Sequence, residues 1–311
     1  MKDDEVMRRF GSIRQWRTRE NRAPHKPLLL LLALGRLQAG RERLAPFTEL
    51  EEPLRRLLEQ YGHPRGRQRP EYPFWRLTSD EGIWEVESSE PVELTAARDP
   101  RISSLRRTDV RGGFTAEVAE ALSSNNELLE HTVSELLATH FPPSLHEDIC
   151  DAVGLRSSLR IVDRQRRDPE FRIEVLRAYE YRCAMCGYDG KLDTVSVGLD
   201  AAHIRWWAYA GPDTIDNALA LCALHHRALD RGVVGVSAEL RITVSRRFHG
   251  GGRARELIID LAGEPLGRPQ PGLPSPATNH IGWHRSEVFQ GDERDVVSAD
   301  AAAEGAGDFN V

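Results

Sequence analysis

Lysine is almost missing from this chain. Of its 42 basic residues only Lys2, Lys26 and Lys191 are lysines, so arginine carries nearly all the positive charge. That skew fits a GC-rich coding sequence as readily as phosphate chemistry. Long apolar runs are missing too. The densest, Leu28 to Leu32, lies in a segment of ordinary helix length, far short of the ~20 apolar residues that span a bilayer, so no membrane anchor is expected. The opening Met1-Lys2-Asp3-Asp4-Glu5 has none of the apolar core of a secretory signal. Cysteine is scarce as well, with four in the whole chain. That excludes a disulfide scaffold and points to a reducing, cytoplasmic compartment. What is present is a 311-residue chain with 40% apolar residues, enough for real cores and for two domains.

Three of the four cysteines fall into a pattern. Cys183-x-x-Cys186 is followed by Cys222-x-x-His225, two half-sites of the spacing that gives tetrahedral zinc bound by three thiolates and one imidazole. With no open coordination position such a site is structural. Cys150 remains outside it and is expected to be an inert buried thiol.

A second group of ligand-type residues overlaps the first: His203, Asn217, His226 and Asp230. Its geometry follows if Val195 to Ile204 forms a β-hairpin and Ala218 to Leu229 a helix. Positions 226 and 230 are then i and i+4 on one helical face. His225 points about 100° away from His226, so the adjacent histidines are able to serve different metals.

With Asp200-Ala201-Ala202-His203-Ile204 ahead of them, these residues resemble the HNH nuclease family and its ββα-metal fold. The resemblance implies that His203 is the general base, that Asn217 orients the motif loop and the base, and that His226 with Asp230 ligates a catalytic divalent ion such as Mg, Mn or Co. Many HNH centres carry a metal ligand directly before the base, whereas this chain has Ala202, as in the AAHI subgroup. The third protein ligand is therefore unassigned. Asp200 is one candidate, although strand alternation puts it on the opposite face from His203, and water is the other.

The resemblance extends into the N-terminal half. Pro24-His25-Lys26-Pro27-Leu28-Leu29-Leu30, then Tyr72-Pro73-Phe74-Trp75-Arg76-Leu77 and Trp84-Glu85-Val86, are similar to the sulfur-binding domain of phosphorothioation-dependent type IV restriction endonucleases of the McrA kind. Arg167-Asp168-Pro169-x-Phe171 and Tyr181-Arg182-Cys183 resemble the nuclease half of the same group. By this resemblance the chain is a bacterial cytoplasmic enzyme acting on double-stranded DNA that carries phosphorothioate linkages. Tyr72 and Pro73 would wall the sulfur, and His25 and Lys26 would hold the modified phosphate at a helix N-terminus. Double-strand cleavage would call for a homodimer or for two binding events on one duplex, with a homodimer the expected arrangement.

The charge pattern accommodates this. A formal charge of -6 does not argue against DNA, because a nuclease needs a basic footprint and not a basic total. Arg14, Arg17, Arg19, Arg22 and Lys26 form one basic cluster and Arg65, Arg67 and Arg69 a second. Arg106, Arg107 and Arg111 are further candidates for reading guanine or gripping backbone.

The expected fold class is α+β, a helical and β-hairpin N-terminal domain followed by a ββα-metal domain with structural zinc. The expected boundaries are 1–142 for the sulfur-binding domain, 143–168 for a linker, 169–290 for the nuclease and 291–311 for a disordered tail. Within the first domain, Leu28 to Leu37 is expected to be helical. A Thr48-x-x-Glu51 capping box opens a helix to Tyr61, Phe74 to Thr78 and Ile83 to Val86 form a hairpin, and Asn125 to His140 forms another helix. Beyond the catalytic helix, Val233 to Val236 and Leu240 to Val244 read as strands, and Trp283-His284-Arg285 with Val288-Phe289 as a patch that packs back on the nuclease. Two other readings fit the same residues: an HNH endonuclease reading ordinary or methylated DNA, and a zinc-stabilised DNA-binding protein without catalysis.

Overall fold

A computed structural model describes residues 1–13, 24–64, 66–80, 82–107, 109–155 and 169–295. The basic positions Arg14, Arg17, Arg19, Arg22 and Arg65, and the lead-in residues Arg167 and Asp168, lie outside the described residues. The chain divides into two compact units. One comprises residues 1–169 with 205–213, the other 170–204 with 214–311.

The first unit runs α1 (Asp3–Gly11), α2 (His25–Gln38), β1 (Leu44–Pro46), α3 (Phe47–Tyr61), α4 (Glu71–Arg76), β2 (Trp84–Glu87), α5 (Ile102–Arg107), β3 (Arg111–Phe114), α6 (Ala116–Ser124), α7 (Asn126–His140) and α8 (His146–Val153). Its axis is α2. Residues Pro27 through Gly35 of that helix are all buried, because α3, α4, α6, α7 and α8 pack around it, as suits a helix that is apolar all round. Proline at the third position of α2 falls in the first turn, where the missing N–H has no intrahelical partner to lose. Asn125 caps α7, its Oδ1 accepting from the Leu128 N–H at 3.1 Å, as the favoured cap residues do. Strand β3 is the middle of a three-stranded sheet, antiparallel to both β1 and β2.

Three local expectations are corrected here. Phe74 to Thr78 is not a strand: α4 and a short 3₁₀ turn occupy 71–79, and β2 takes β3 as its partner instead, with Trp84 opposite Phe114. Pro70 and Pro73 preset helical φ at the start of a short apolar run whose periodicity does not distinguish helix from strand. Glu51 does not close a capping box. Helix α3 begins at Phe47 with Pro46 before it and no side-chain cap, and Glu51 is drawn into bonds with Arg106 and Arg55. The stretch from 143 begins with α8, whose Ile149, Cys150 and Val153 are buried. It seats against α2 where Gly35 has no side chain, since a Cβ there would lie 2.0 Å from the Val153 carbonyl oxygen.

The second unit runs α9 (Pro169–Ala178), β4 (Lys191–Leu192), β5 (Val195–Ser196), β6 (Leu199–His203), β7 (Ala218–Cys222), α10 (Ala223–Asp230), β8 (Val234–Val236), β9 (Ile242–Val244), α11 (Arg253–Leu257) and α12 (Thr278–Glu287). Its core gathers Val175 and Leu176 of α9, Leu199 and Ala202 of β6, Leu219 and Leu221 of β7, and Leu229 of α10. The segment expected as one helix from Ala218 divides in two. Ala218 to Cys222 is a strand paired with β6 and only Ala223 to Asp230 is helical. Four buried apolar residues in a row, Ala218 to Leu221, suit a strand covered on both faces as well as they suit a helix. Trp283, His284, Val288 and Phe289 are buried, with His284 Nε2 hydrogen-bonded to the Leu229 carbonyl at 2.9 Å, so the expected patch does seal the end of α10. Residues 291–295, expected in the tail, are tied to β9: the Arg294 N–H donates to the Val244 carbonyl at 2.7 Å. No helix among the described residues is long and apolar enough to cross a membrane.

Candidate functional site

Strands β6 and β7 are antiparallel, with His203 opposite Ala218 and Leu199 opposite Cys222. The hairpin loop therefore opens at His203 and closes through Asn217, whose carbonyl accepts the Ile204 N–H at 2.9 Å. Asn217 is fully buried. A buried amide needs partners, and its place at the loop's closing bond lets one residue fix the spacing of the two strands. The His203 ring stacks on Phe171 of α9, with centroids 4.7 Å apart and planes 24° apart. The imidazole plane is thus set by packing while part of the side chain stays accessible.

Helix α10 follows β7 directly and presents its two histidines in different directions. His226 lies between two carboxylates: Asp230 Oδ2 is 3.4 Å from its Nε2 and Asp200 Oδ2 is 3.7 Å from its Nδ1. The two acids differ in setting, the Asp230 side chain being 2% exposed and that of Asp200 36%. Asp200 is further held by Arg172, whose Nε donates to Oδ1 at 3.2 Å while Nη2 donates to the Leu199 carbonyl at 2.8 Å. One imidazole with oxygen donors is a set that suits a hard divalent ion such as magnesium or manganese. Asp200 and Arg172 were not assigned from sequence. Their signal is the strand register, which puts position 200 on the same face as 202, where many HNH centres carry a ligand.

His225 turns the other way and is completely buried. Cys183, Cys186, Cys222 and His225 bring their ligand atoms within 4.8 Å of one another. Cys183 Sγ is 3.6 Å and Cys222 Sγ 3.1 Å from His225 Nδ1, and Cys186 Sγ is 3.9 Å from Cys222 Sγ. Zn–S bonds of about 2.3 Å and Zn–N bonds of about 2.0 Å give tetrahedral edges near 3.6 Å, so the cluster fits zinc. His225 Nε2 faces the Leu257 carbonyl at 2.9 Å, which fixes the tautomer that leaves Nδ1 for a metal. The turn after Cys186 needs a left-handed residue and has Gly187, at φ 71°.

Hydrogen bonds from Cys186 and Cys222 push the Cys183 thiol far below its usual value, and proximity to Cys183 pushes Cys186 far above. Burial disfavours a charged His225, but its bonds to Cys183 and Cys222 overcome that and hold it up at about 10. Cys150 is pushed up to about 11 by burial, in keeping with an inert thiol.

In the first unit, α2 begins at His25 and packs against α4, which carries Tyr72 and Pro73. Lys26 is ion-paired with Asp80, whose side chain is buried. Two guanidiniums flank the Tyr72 ring: the Arg76 carbon lies 4.5 Å and the Arg69 carbon 5.1 Å from its centroid. Arg69 Nη1 also donates to the Tyr72 hydroxyl at 2.8 Å, and Asp99 holds Arg76 through two bonds of 2.8 Å. No role for Arg76 is legible from sequence alone. The other arginines singled out as base readers are engaged with acids: Arg106 with Glu51, Arg107 with Glu93 at 2.9 Å, and Arg111 with Glu42 at 3.1 Å.

A family model described as ScoMcrA-like, DNA sulfur-binding domain, matches residues 3–158. A second, described as HNH endonuclease, matches residues 183–237. No curated protein matches. Among solved structures, the sulfur binding domain of ScoMcrA complexed with phosphorothioated DNA is 32% identical, with 48% of this chain and 94% of that one covered and a TM-score of 0.43. The type IV phosphorothioation-dependent restriction endonuclease ScoMcrA is 30% identical over 47% of this chain and 28% of its own, with a TM-score of 0.40. The sulfur binding domain of SprMcrA complexed with phosphorothioated DNA is 23% identical over 50% of this chain and 95% of its own, with a TM-score of 0.43.

Proposed function

Because the chain belongs to the ScoMcrA-like DNA sulfur-binding family and carries an HNH endonuclease domain behind it, we propose that it recognises phosphorothioate-modified double-stranded DNA and hydrolyses the backbone nearby as a restriction endonuclease. The observation that carries this is the union of the two matches on one chain, a reader of sulfur and a hydrolytic centre.

In the reader, Tyr72 and Pro73 wall the sulfur. A sulfur in place of a non-bridging oxygen is larger, more polarisable and poorly hydrated, so contact with a ring and a pyrrolidine gains dispersion. An ordinary oxygen in the same place loses water without a hydrogen bond, at a cost of about 1–3 kcal/mol. Arg69 and Arg76 keep the ring in place and supply positive charge beside it, while His25 and Lys26 at the start of α2 hold the phosphate.

In the nuclease, His203 takes a proton from the attacking water as the water oxygen bonds to phosphorus and the bond to the 3′ oxygen breaks. The 3′ oxygen gains a proton, and the product keeps a 5′ phosphate. Phe171 holds the His203 ring plane and Asn217 the loop that carries it. His226 and a carboxylate beside it hold the divalent ion, and Cys183, Cys186, Cys222 and His225 hold structural zinc. When bound, a divalent ion supplies charge stabilisation at the scissile phosphate and the leaving oxygen.

The test of the reader is competition binding with Tyr72→Ala. The parent chain is expected to prefer a duplex with one phosphorothioate over the same duplex without it by about tenfold or more. The variant is expected to bind both alike. A variant that keeps the full preference would remove Tyr72 from the pocket.

A further inference from the structure

Resting on the nuclease reading above, we infer that Asp200, and not Asp230, is the carboxylate that shares the catalytic ion with His226, and that Asp230 is a positioning residue that fixes the orientation of the His226 ring.

The two carboxylates sit at different ring nitrogens, Asp200 at Nδ1 and Asp230 at Nε2. An ion takes one imidazole nitrogen, and a metal-bound histidine characteristically donates its other N–H to a carboxylate or carbonyl. The question is therefore which nitrogen faces the ion. An ion that acts on a scissile phosphate must be reached by DNA and by water. The Asp200 side chain is 36% exposed, whereas that of Asp230 is 2% exposed. Nδ1 thus faces the more exposed carboxylate and Nε2 the buried one. A carboxylate as buried as Asp230 needs polar partners, and its Oδ2 lies 3.4 Å from His226 Nε2 on the same helical face.

The attachment of Asp200 fits a ligand. Its Oδ1 accepts from Arg172 Nε at 3.2 Å and from the Ala201 N–H at 2.9 Å, while Oδ2 turns toward His226. Strand β6 explains how a residue three before the base can serve: positions 200 and 202 share a face. Ala202 is fully buried and carries no donor. Asp200, one pleat earlier, presents a carboxylate on the face from which position 202 offers nothing. A ligand and the base need not share a face, so strand alternation does not bar Asp200 from the ion.

The test is titration of the zinc-loaded full chain with Co²⁺, read by the d–d absorption of the bound ion and by calorimetry. Loss of a ligand changes the bands, whereas loss of a positioning partner lowers affinity and leaves them. Asp200→Asn is expected to weaken Co²⁺ by more than the ~10–100-fold typical of an outer partner and to change the spectrum. Asp230→Asn is expected to weaken binding within that range with the bands in place. Asp200→Asn is a half-exposed, isosteric change that leaves the core untouched, so it decides the matter if Asp230→Asn does not fold. Parental bands and affinity in Asp200→Asn, or bands that change only in Asp230→Asn, would overturn the assignment. A parent chain that takes up no Co²⁺ beyond its zinc would instead remove the nuclease reading on which the assignment rests.

Discussion

At the residue scale, the proposed reaction rests on His203 and on the Phe171 contact that sets its ring plane. Its replacement by alanine is expected to lower cleavage by about 10²–10⁴-fold, the usual contribution of a positioned base, with DNA binding unchanged. Gel assays of both quantities check this, and equal loss of binding and cleavage would contradict it. The metal-ligand residues were legible in the sequence to different degrees. The zinc set was readable because cysteine and histidine spacings on a knuckle and a helix turn are fixed by local geometry, and the 4.8 Å cluster agrees. Asp200 was weighed and left open because its role depends on cross-strand register and on the direction of His226, which no local pattern encodes. Arg106 illustrates the opposite failure. It was a candidate for reading guanine or gripping backbone, and the fold adds a partner that sequence does not show: its guanidinium bonds to Glu51 and holds that carboxyl below the usual range.

At the scale of elements, the cysteine and histidine cluster joins the knuckle between α9 and β4 to the start of α10. Zinc removal is expected to unfold the second unit while the first keeps its own melting transition, since α2 and its neighbours form a separate core. The pH dependence has a definite sign. His225 without metal is held up at about 10 and Cys186 higher than usual, so both are protonated at neutral pH and each must release a proton to bind zinc. Zinc affinity is therefore expected to rise with pH between about 6 and 8, with proton release seen by calorimetry in buffers of different ionisation heat. A pH-independent affinity would contradict this account.

The seat of α8 on α2 gives a second test of packing. Alanine in a helix is normally better than glycine by about 1 kcal/mol. At Gly35 the added Cβ would meet the Val153 carbonyl at 2.0 Å, and overpacking of that kind costs about 1–3 kcal/mol. Gly35→Ala is expected to lower the first unit's melting temperature, and a rise would show that α8 yields. Such backbone approaches explain why the expected boundary at 142 preceded the last packed helix. Sequence shows α8 as a short amphipathic stretch after two prolines, and only the fold shows where it seats. Short apolar runs misled in the same way at Phe74 to Thr78 and Ala218 to Cys222, where period alone does not separate strand from helix.

At the scale of the whole molecule, one HNH centre per chain cuts one strand per binding event. A double-strand break then calls for a homodimer or two binding events on one duplex, so linearisation of a modified plasmid is expected to depend more steeply on protein concentration than nicking does. The central claim is that cutting follows sulfur. Its most direct measurement is cleavage of one duplex prepared with and without a single defined phosphorothioate, with manganese present and His203→Ala as the control. The account predicts metal-dependent cutting of the sulfur duplex alone, absent in His203→Ala. Equal cutting of both duplexes, or cutting that survives in His203→Ala, would contradict it.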